Sequence, residues 1–60
     1  MYSHEIQQKL ENNNFSIPVG DYLEICNSNQ ISQIKYNPYG DYFEIWTKDN
    51  YYWMFKVFKD

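Results

Sequence analysis

Two carboxylates, Glu24 and Glu44, hold equivalent places in a repeated octapeptide, which invites an acid–base reading first. On strands separated by one other strand they would lie about 10 Å apart, twice the inter-strand spacing. Carboxylates that cleave glycosides with inversion stand about 6.5–9.5 Å apart, close to that separation. Such chemistry also needs a concave pocket that raises one pKa and holds a sugar, and a sixty-residue sheet is too small to enclose one. A solvated acidic pair that keeps a sheet face soluble fits the residues better. A nucleophilic site fares no better. His4 and Cys26 are far apart in sequence, with no marked third group and no oxyanion site. Ser3-His4-Glu5 reads more simply as the start of a helix, and Cys26 as a small apolar side chain at a strand end. One His and one Cys cannot supply a metal's three or four ligands, so no metal and no cofactor are expected. The only glycines, Gly20 and Gly40, sit in turn patterns, which leaves no phosphate-cradling loop. The chain is not expected to be an enzyme.

Aromatic surface is the other chemistry on offer. The chain carries seven Tyr, four Phe and two Trp among sixty residues. Tyr42, Trp46 and Tyr52 are spaced to form a platform on which single-stranded bases could stack. Such platforms work beside a positive groove, and here the net charge is −3 with no arginine at all. Asp21, Glu24, Asp41 and Glu44 flanked by tyrosines instead make an acidic aromatic surface. A surface of that kind can occupy a basic nucleic-acid channel on another protein.

These residues need elements to position them, and the repeat supplies the first clue. Pro18-Val19-Gly20-Asp21-Tyr22-Leu23-Glu24-Ile25 recurs as Pro38-Tyr39-Gly40-Asp41-Tyr42-Phe43-Glu44-Ile45. Asn37-Pro38-Tyr39-Gly40 carries the preferences of a type I turn, and Ile17-Pro18-Val19-Gly20 shares all but the opening Asn. Alternating apolar and polar residues after each turn read as a strand. The unit is then a turn and a strand, twice over, in an antiparallel meander. Strands are expected at about 21–27, 31–36, 41–48 and 51–58, with a short one at 15–17. Residues 2–13 read as a helix capped by Ser3, with Tyr2, Ile6 and Leu10 on one stripe and the Asn12-Asn13-Asn14 run ending it.

The last hairpin fixes the faces. A three-residue loop, Lys48-Asp49-Asn50, pairs odd with odd positions and gathers Phe43, Ile45, Tyr51, Trp53, Phe55 and Val57 on one core face. Asn50 suits the left-handed position such a loop requires. Tyr22, Glu24, Cys26, Tyr42, Glu44, Trp46, Tyr52, Met54, Lys56 and Phe58 are left on the second face. One short helix cannot cover so much aromatic area, so this face is expected to meet another chain unless the sheet curls up on it.

The expected protein is therefore a single α+β domain over residues 1–60. A short helix at 2–13 precedes a four- or five-stranded antiparallel meander over 15–58, able to curl into a small barrel, with repeat units starting at Pro18 and Pro38. The Asn, Tyr, Ile and Lys bias points to an AT-rich genome. No signal peptide or membrane span is read from the sequence, which sets the expectation of a bacterial cytoplasm. The expected function is a small acidic inhibitor, encoded by a phage or mobile element, that binds a nucleic-acid-handling host defence complex. Anti-CRISPR proteins are of this type in size, charge and lack of motifs, and no residue is carried over from any of them. Its binding residues would be Asp21, Tyr22, Glu24, Asp41, Tyr42, Glu44, Trp46 and Tyr52, acting by steric and electrostatic occlusion. A homodimer is a further option for covering the face. The alternatives are an immunity or antitoxin protein, or a small single-strand-binding domain. Nucleic acid and membrane are the disfavoured partners.

Overall fold

Ile6 and Leu10, one helical turn apart, are both fully buried and set the inner stripe of α1, Ser3–Asn12. Glu5 Oε1 accepts from the Tyr2 backbone N–H at 2.9 Å, which places the N-cap at Tyr2 instead of Ser3. Ser3 has moved into the helix and is buried, where its hydroxyl donates to Asp49 Oδ1 at 2.7 Å. Tyr2 is correspondingly exposed and does not extend the stripe. Phe15 N–H donates to the Leu10 carbonyl at 2.7 Å and closes the helix. Asn14 and Phe15 both take positive φ, 54° and 59°, and turn the chain into β1, Ser16–Pro18. Asn tolerates that conformation, whereas for Phe it is strained. The computed structural model describes residues 1–59.

The two copies of the octapeptide fold differently. In the second copy Asn37 Oδ1 accepts from the Tyr39 and Gly40 N–H groups at 3.0 and 3.3 Å, and Asp41 takes φ 54°. This turn joins β2, Ile31–Asn37, to β3, Tyr42–Thr47. The first copy, expected as a strand over 21–27, is the helix α2, Val19–Cys26. Local chemistry explains part of the difference. Ile17 cannot close a turn with its side chain as Asn37 does, and Asn27 ends the first copy where its counterpart Thr47 is still in the strand. Topology explains the rest. β1 and β2 run parallel at opposite edges of the sheet, so the chain between them must cross the sheet. Eight helical residues rise about 12 Å, near the roughly 14 Å of three inter-strand gaps.

One substitution separates the two environments. A Cβ at Gly20 meets nothing, while a Cβ at Gly40 runs into the Tyr42 ring. Gly20→Ala is expected to raise stability by about 0.5 kcal/mol, because alanine loses less entropy in a helix. Gly40→Ala is expected to lower it by about 1 kcal/mol by pushing the ring away. Urea melts of both variants check the opposite signs. A loss at both positions would return the first copy to a turn.

The sheet has the order β1-β4-β3-β2, with β4 at Tyr52–Phe58. It is open and mixed, so the expected antiparallel meander holds for β2, β3 and β4 only, and no barrel closes. β1 adds to β4 in parallel, Ile17 opposite Val57; the chain enters it from α1 and leaves it into α2, so no hairpin joins the two strands. The β3–β4 register follows the parity expected: Phe43 faces Phe55, Ile45 faces Trp53, and Asn50 takes φ 72° in the loop. Ile6, Leu10, Ile17, Ile25, Ile45 and Phe55 form the core, with Tyr22, Phe43, Trp53 and Val57 packed around it. Both helices therefore lie on the odd-numbered face. Tyr51, expected in that core, is half exposed at the loop end, where it stacks on Trp53 at 5.4 Å beyond the reach of either helix. Lys9 ties the helical layer together, with Nζ at 3.3 Å from both Asp21 and Glu24. Desolvation alone would lower the Lys9 pKa, but the hydrogen bonds and charges of Glu24 and Asp21 outweigh it and raise it.

Candidate functional site

Two helices on one side leave the other side of the sheet uncovered, and alternation dictates what it shows. β3 contributes Tyr42, Glu44 and Trp46, and β4 contributes Tyr52, Met54, Lys56 and Phe58. β2 adds Gln33, Lys35 and Asn37, which pair with Trp46, Glu44 and Tyr42. Met54 is 50% exposed, Phe58 48% and Tyr52 44%, unusually high for large side chains in the middle of a sheet. Trp46 and Tyr52 face each other across the strands with rings 5.2 Å apart. The Tyr52 hydroxyl donates to Glu44 Oε2 at 2.7 Å, and Asn37 Nδ2 donates to the Tyr42 hydroxyl at 3.0 Å. These bonds hold the aromatic rings in place without another chain. At the β1 end a groove of about 310 Å³ opens between Phe15, Tyr42 and Met54, with Lys56 on its wall.

The eight residues singled out from sequence separate into two groups. Tyr42, Glu44, Trp46 and Tyr52 share the bare face, and Asp41 stands in the turn at its end, accepting from the Tyr36 hydroxyl at 2.7 Å. Asp21, Tyr22 and Glu24 lie on α2 in the helical layer, because their segment is a helix on the opposite side of the sheet. Tyr22 packs on Phe43 at 4.8 Å and Phe55 at 6.2 Å as part of the core wall. Glu24 and Glu44 are thus on opposite sides of the sheet, and the carboxylate-pair geometry does not exist. Nor do the four acids make one surface.

A second groove, of about 410 Å³, brings Ser3, His4 and Asp49 together with Tyr2, Gln7, Gln30 and Tyr51. Those three residue types are the ones a hydrolytic triad uses, but their connectivity is wrong. The Ser3 hydroxyl donates directly to Asp49, which also accepts from Thr47 Oγ1 at 2.5 Å, while His4 stacks beside Tyr2. A triad requires the imidazole between the hydroxyl and the acid. The Thr47 and Ser3 hydrogen bonds hold the Asp49 carboxyl below its usual range, as suits a loop pinned to a helix start. Among the described residues no three His, Cys, Asp or Glu side chains cluster as metal ligands. Among them, too, no helix is long and apolar enough to cross a membrane.

Among the described residues, the aromatic face is a sheet surface that neither helix covers. No known protein family, curated protein or solved structure matches the chain. Sequence reasoning leaves out Lys35, Gln33 and Phe15, which border it. The first two follow from pairing β2 to β3 across the Asn37–Asp41 turn. Phe15 has no sequence signal, since nothing in the composition marks a left-handed phenylalanine.

The Glu44–Tyr52 bond has a titration signature. The hydrogen bond to the Glu44 carboxylate, more than desolvation, pushes the Tyr52 pKa up from the usual 10.0 to about 12. A raised folded-state value means the bond's contribution to stability is intact below pH 10. It is lost as pH climbs from about 10 through about 12. Spectrophotometric titration should show Tyr52 among the last tyrosines to ionise, and Glu44→Gln should bring it back toward its usual value. An unchanged titration in that variant would mean that the bond does not form.

Proposed function

We propose that this chain is a protein-binding module that docks through the bare aromatic face of its sheet. One observation carries the proposal: Tyr42, Trp46, Tyr52, Met54 and Phe58 form a contiguous face that neither helix covers. Aromatic residues and methionine are enriched at the centres of protein interfaces, and a face of this kind is costly to leave in water. Glu44 in its middle and Asp41 at its end repel phosphates and favour a protein partner with basic groups near its apolar surface.

In this proposal the chain acts by occlusion and has no catalytic role. Its size, its charge of −3 and its AT-rich composition suit an inhibitor encoded by a phage or mobile element and acting in a bacterial cytoplasm on a nucleic-acid-handling defence complex. An immunity or antitoxin protein would use the same face. The acidic contribution is smaller than the sequence suggests, because Asp21 and Glu24 are held by Lys9 on the far side. Shape and aromatic burial do most of the covering.

Lys35 and Lys56 favour a second reading, because they flank Trp46, Tyr42 and Tyr52 on the same face. That arrangement suits stacked bases with their phosphates on the lysines. Titration with an oligothymidine separates the two readings. The protein-binding proposal expects no measurable binding even at low salt, whereas a single-strand binder would show an affinity that falls steeply as salt rises.

A further inference from the structure

The sheet has two edges, and they are unlike. β1 is three residues long and ends in Pro18, which cannot donate to another strand. β2 runs seven residues, Ile31–Asn37, and contains no proline. Among the described residues, no backbone hydrogen bond reaches Ser32–Asn37 from outside the β2–β3 pair. No β2 residue belongs to the fully buried core, and Ile31 and Ile34 are only half-buried along this edge. The one irregularity, a bulge between Ile31 and Gln33, lies at the strand's start and leaves Gln33–Asn37 regular.

We propose that β2 pairs antiparallel with β2 of a second copy, joining two sheets into one of eight strands. Face and charge select the register. For bare face to continue as bare face, residues of the same parity must stand opposite each other. Centring the pair on Lys35 would set two lysines opposite and cost stability. Centring it on Ile34 sets Ile34 against its own copy, on the side that carries the helices, and Lys35 against Gln33. The Asn37–Asp41 turn of one copy comes beside the Gln30–Ile31 end of the other, where the Lys48 N–H is bonded to the Gln30 carbonyl. Asp41 and the other copy's Lys48 stand at the same end but about three strand spacings apart, so the end charges leave the register to Ile34, Gln33 and Lys35. The two aromatic faces then lie on the same side of the joined sheet. This pairing uses an edge and not the face, so it stands or falls independently of the proposed function.

Substitution of Gln33 tests both the pairing and its register. Gln33→Glu places a carboxylate opposite Lys35 of the other copy, twice per dimer by symmetry, and is expected to tighten association roughly 3- to 10-fold. Gln33→Lys is expected to loosen it by a similar factor. Net charge alone would act in the opposite sense, since Glu adds to the repulsion between two acidic chains. Sedimentation equilibrium of the full chain over a wide concentration range reads the result, and circular dichroism of dilute samples checks that each variant folds. A monomer at every concentration overturns the proposal. So does a dimer whose constant is indifferent to Gln33 substitutions, or one lost on Trp46→Ala, which would move the interface to the aromatic face. Loosening by Gln33→Lys with tightening by Gln33→Glu supports it.

Discussion

Phe55→Ala is expected to leave most of the chain unfolded at room temperature. Phe55 is 2% exposed, sits at the centre of β4, and packs on Phe43 at 5.8 Å and Tyr22 at 6.2 Å. Truncating a buried phenylalanine costs about 3–5 kcal/mol once the cavity is counted. At about 0.05–0.15 kcal/mol per residue, a sixty-residue domain has only about 3–9 kcal/mol in total. Among the described residues the core holds six fully buried apolar side chains, so little else can absorb the loss. Tyr51→Ala is the matched control, since Tyr51 is half exposed and contacts the same strand's Trp53. Its cost is expected to stay below about 1 kcal/mol. Urea denaturation followed by far-ultraviolet circular dichroism measures both. Equal midpoints for the two variants would show that the odd-numbered face is not the core.

Trp46→Ala combined with Tyr52→Ala is expected to abolish partner binding while the domain stays folded. Interface aromatics of this kind contribute upward of about 2 kcal/mol each, so the pair should weaken affinity by roughly a thousandfold. Stability should fall by about 1 kcal/mol, because Tyr52 is half exposed and Trp46 half-buried on a face that neither helix covers, and their main contact is with each other. Leu23→Ala supplies the control. Leu23 is more exposed than either and lies on α2, in the helical layer. A captured partner should be retained by Leu23→Ala and lost by the double variant, with affinities read by calorimetry. Loss of binding in a double variant that has also unfolded would instead make Trp46 and Tyr52 structural. Tyr42 is the poorer choice for such a test, since its ring packs against Gly40 and its hydroxyl accepts from Asn37.

The parts of the fold readable in the sequence are those decided by neighbours in the chain. Parity across Lys48-Asp49-Asn50 sets the β3–β4 register, because a loop of that length with Asn at its left-handed position admits one pairing. The Asn37 turn is readable for the same reason. The α2 segment is not. Tyr22, Leu23, Glu24 and Ile25 alternate as a strand does, yet Tyr22 and Ile25 also share one side of a helix. What decides between the two is the need to carry the chain from β1 to β2 across the sheet, and no local pattern encodes that. The parallel β1–β4 pairing is a contact between the chain's two ends and is hidden for the same cause. With α2 read as a strand, Tyr22 and Glu24 fall on the aromatic face and Asp21 at the turn before it, where they do not belong. Tyr42, Glu44, Trp46 and Tyr52 come together there because strand parity alone settles where they point. Lys35 reaches that face through the Asn37–Tyr42 pairing across the turn, and the bulge between Ile31 and Gln33 changes only the face shown by the strand's start.

Hydroxyl-radical footprinting of the chain, free and with its captured partner, tests the docking face most directly. Met54, Trp46, Tyr52 and Phe58 should lose reactivity on binding, while Met1, Leu23 and Tyr51, exposed elsewhere on the molecule, should keep theirs. Protection of Leu23 or Tyr51 with Met54 left reactive would contradict the assignment and move the interface to the helical side.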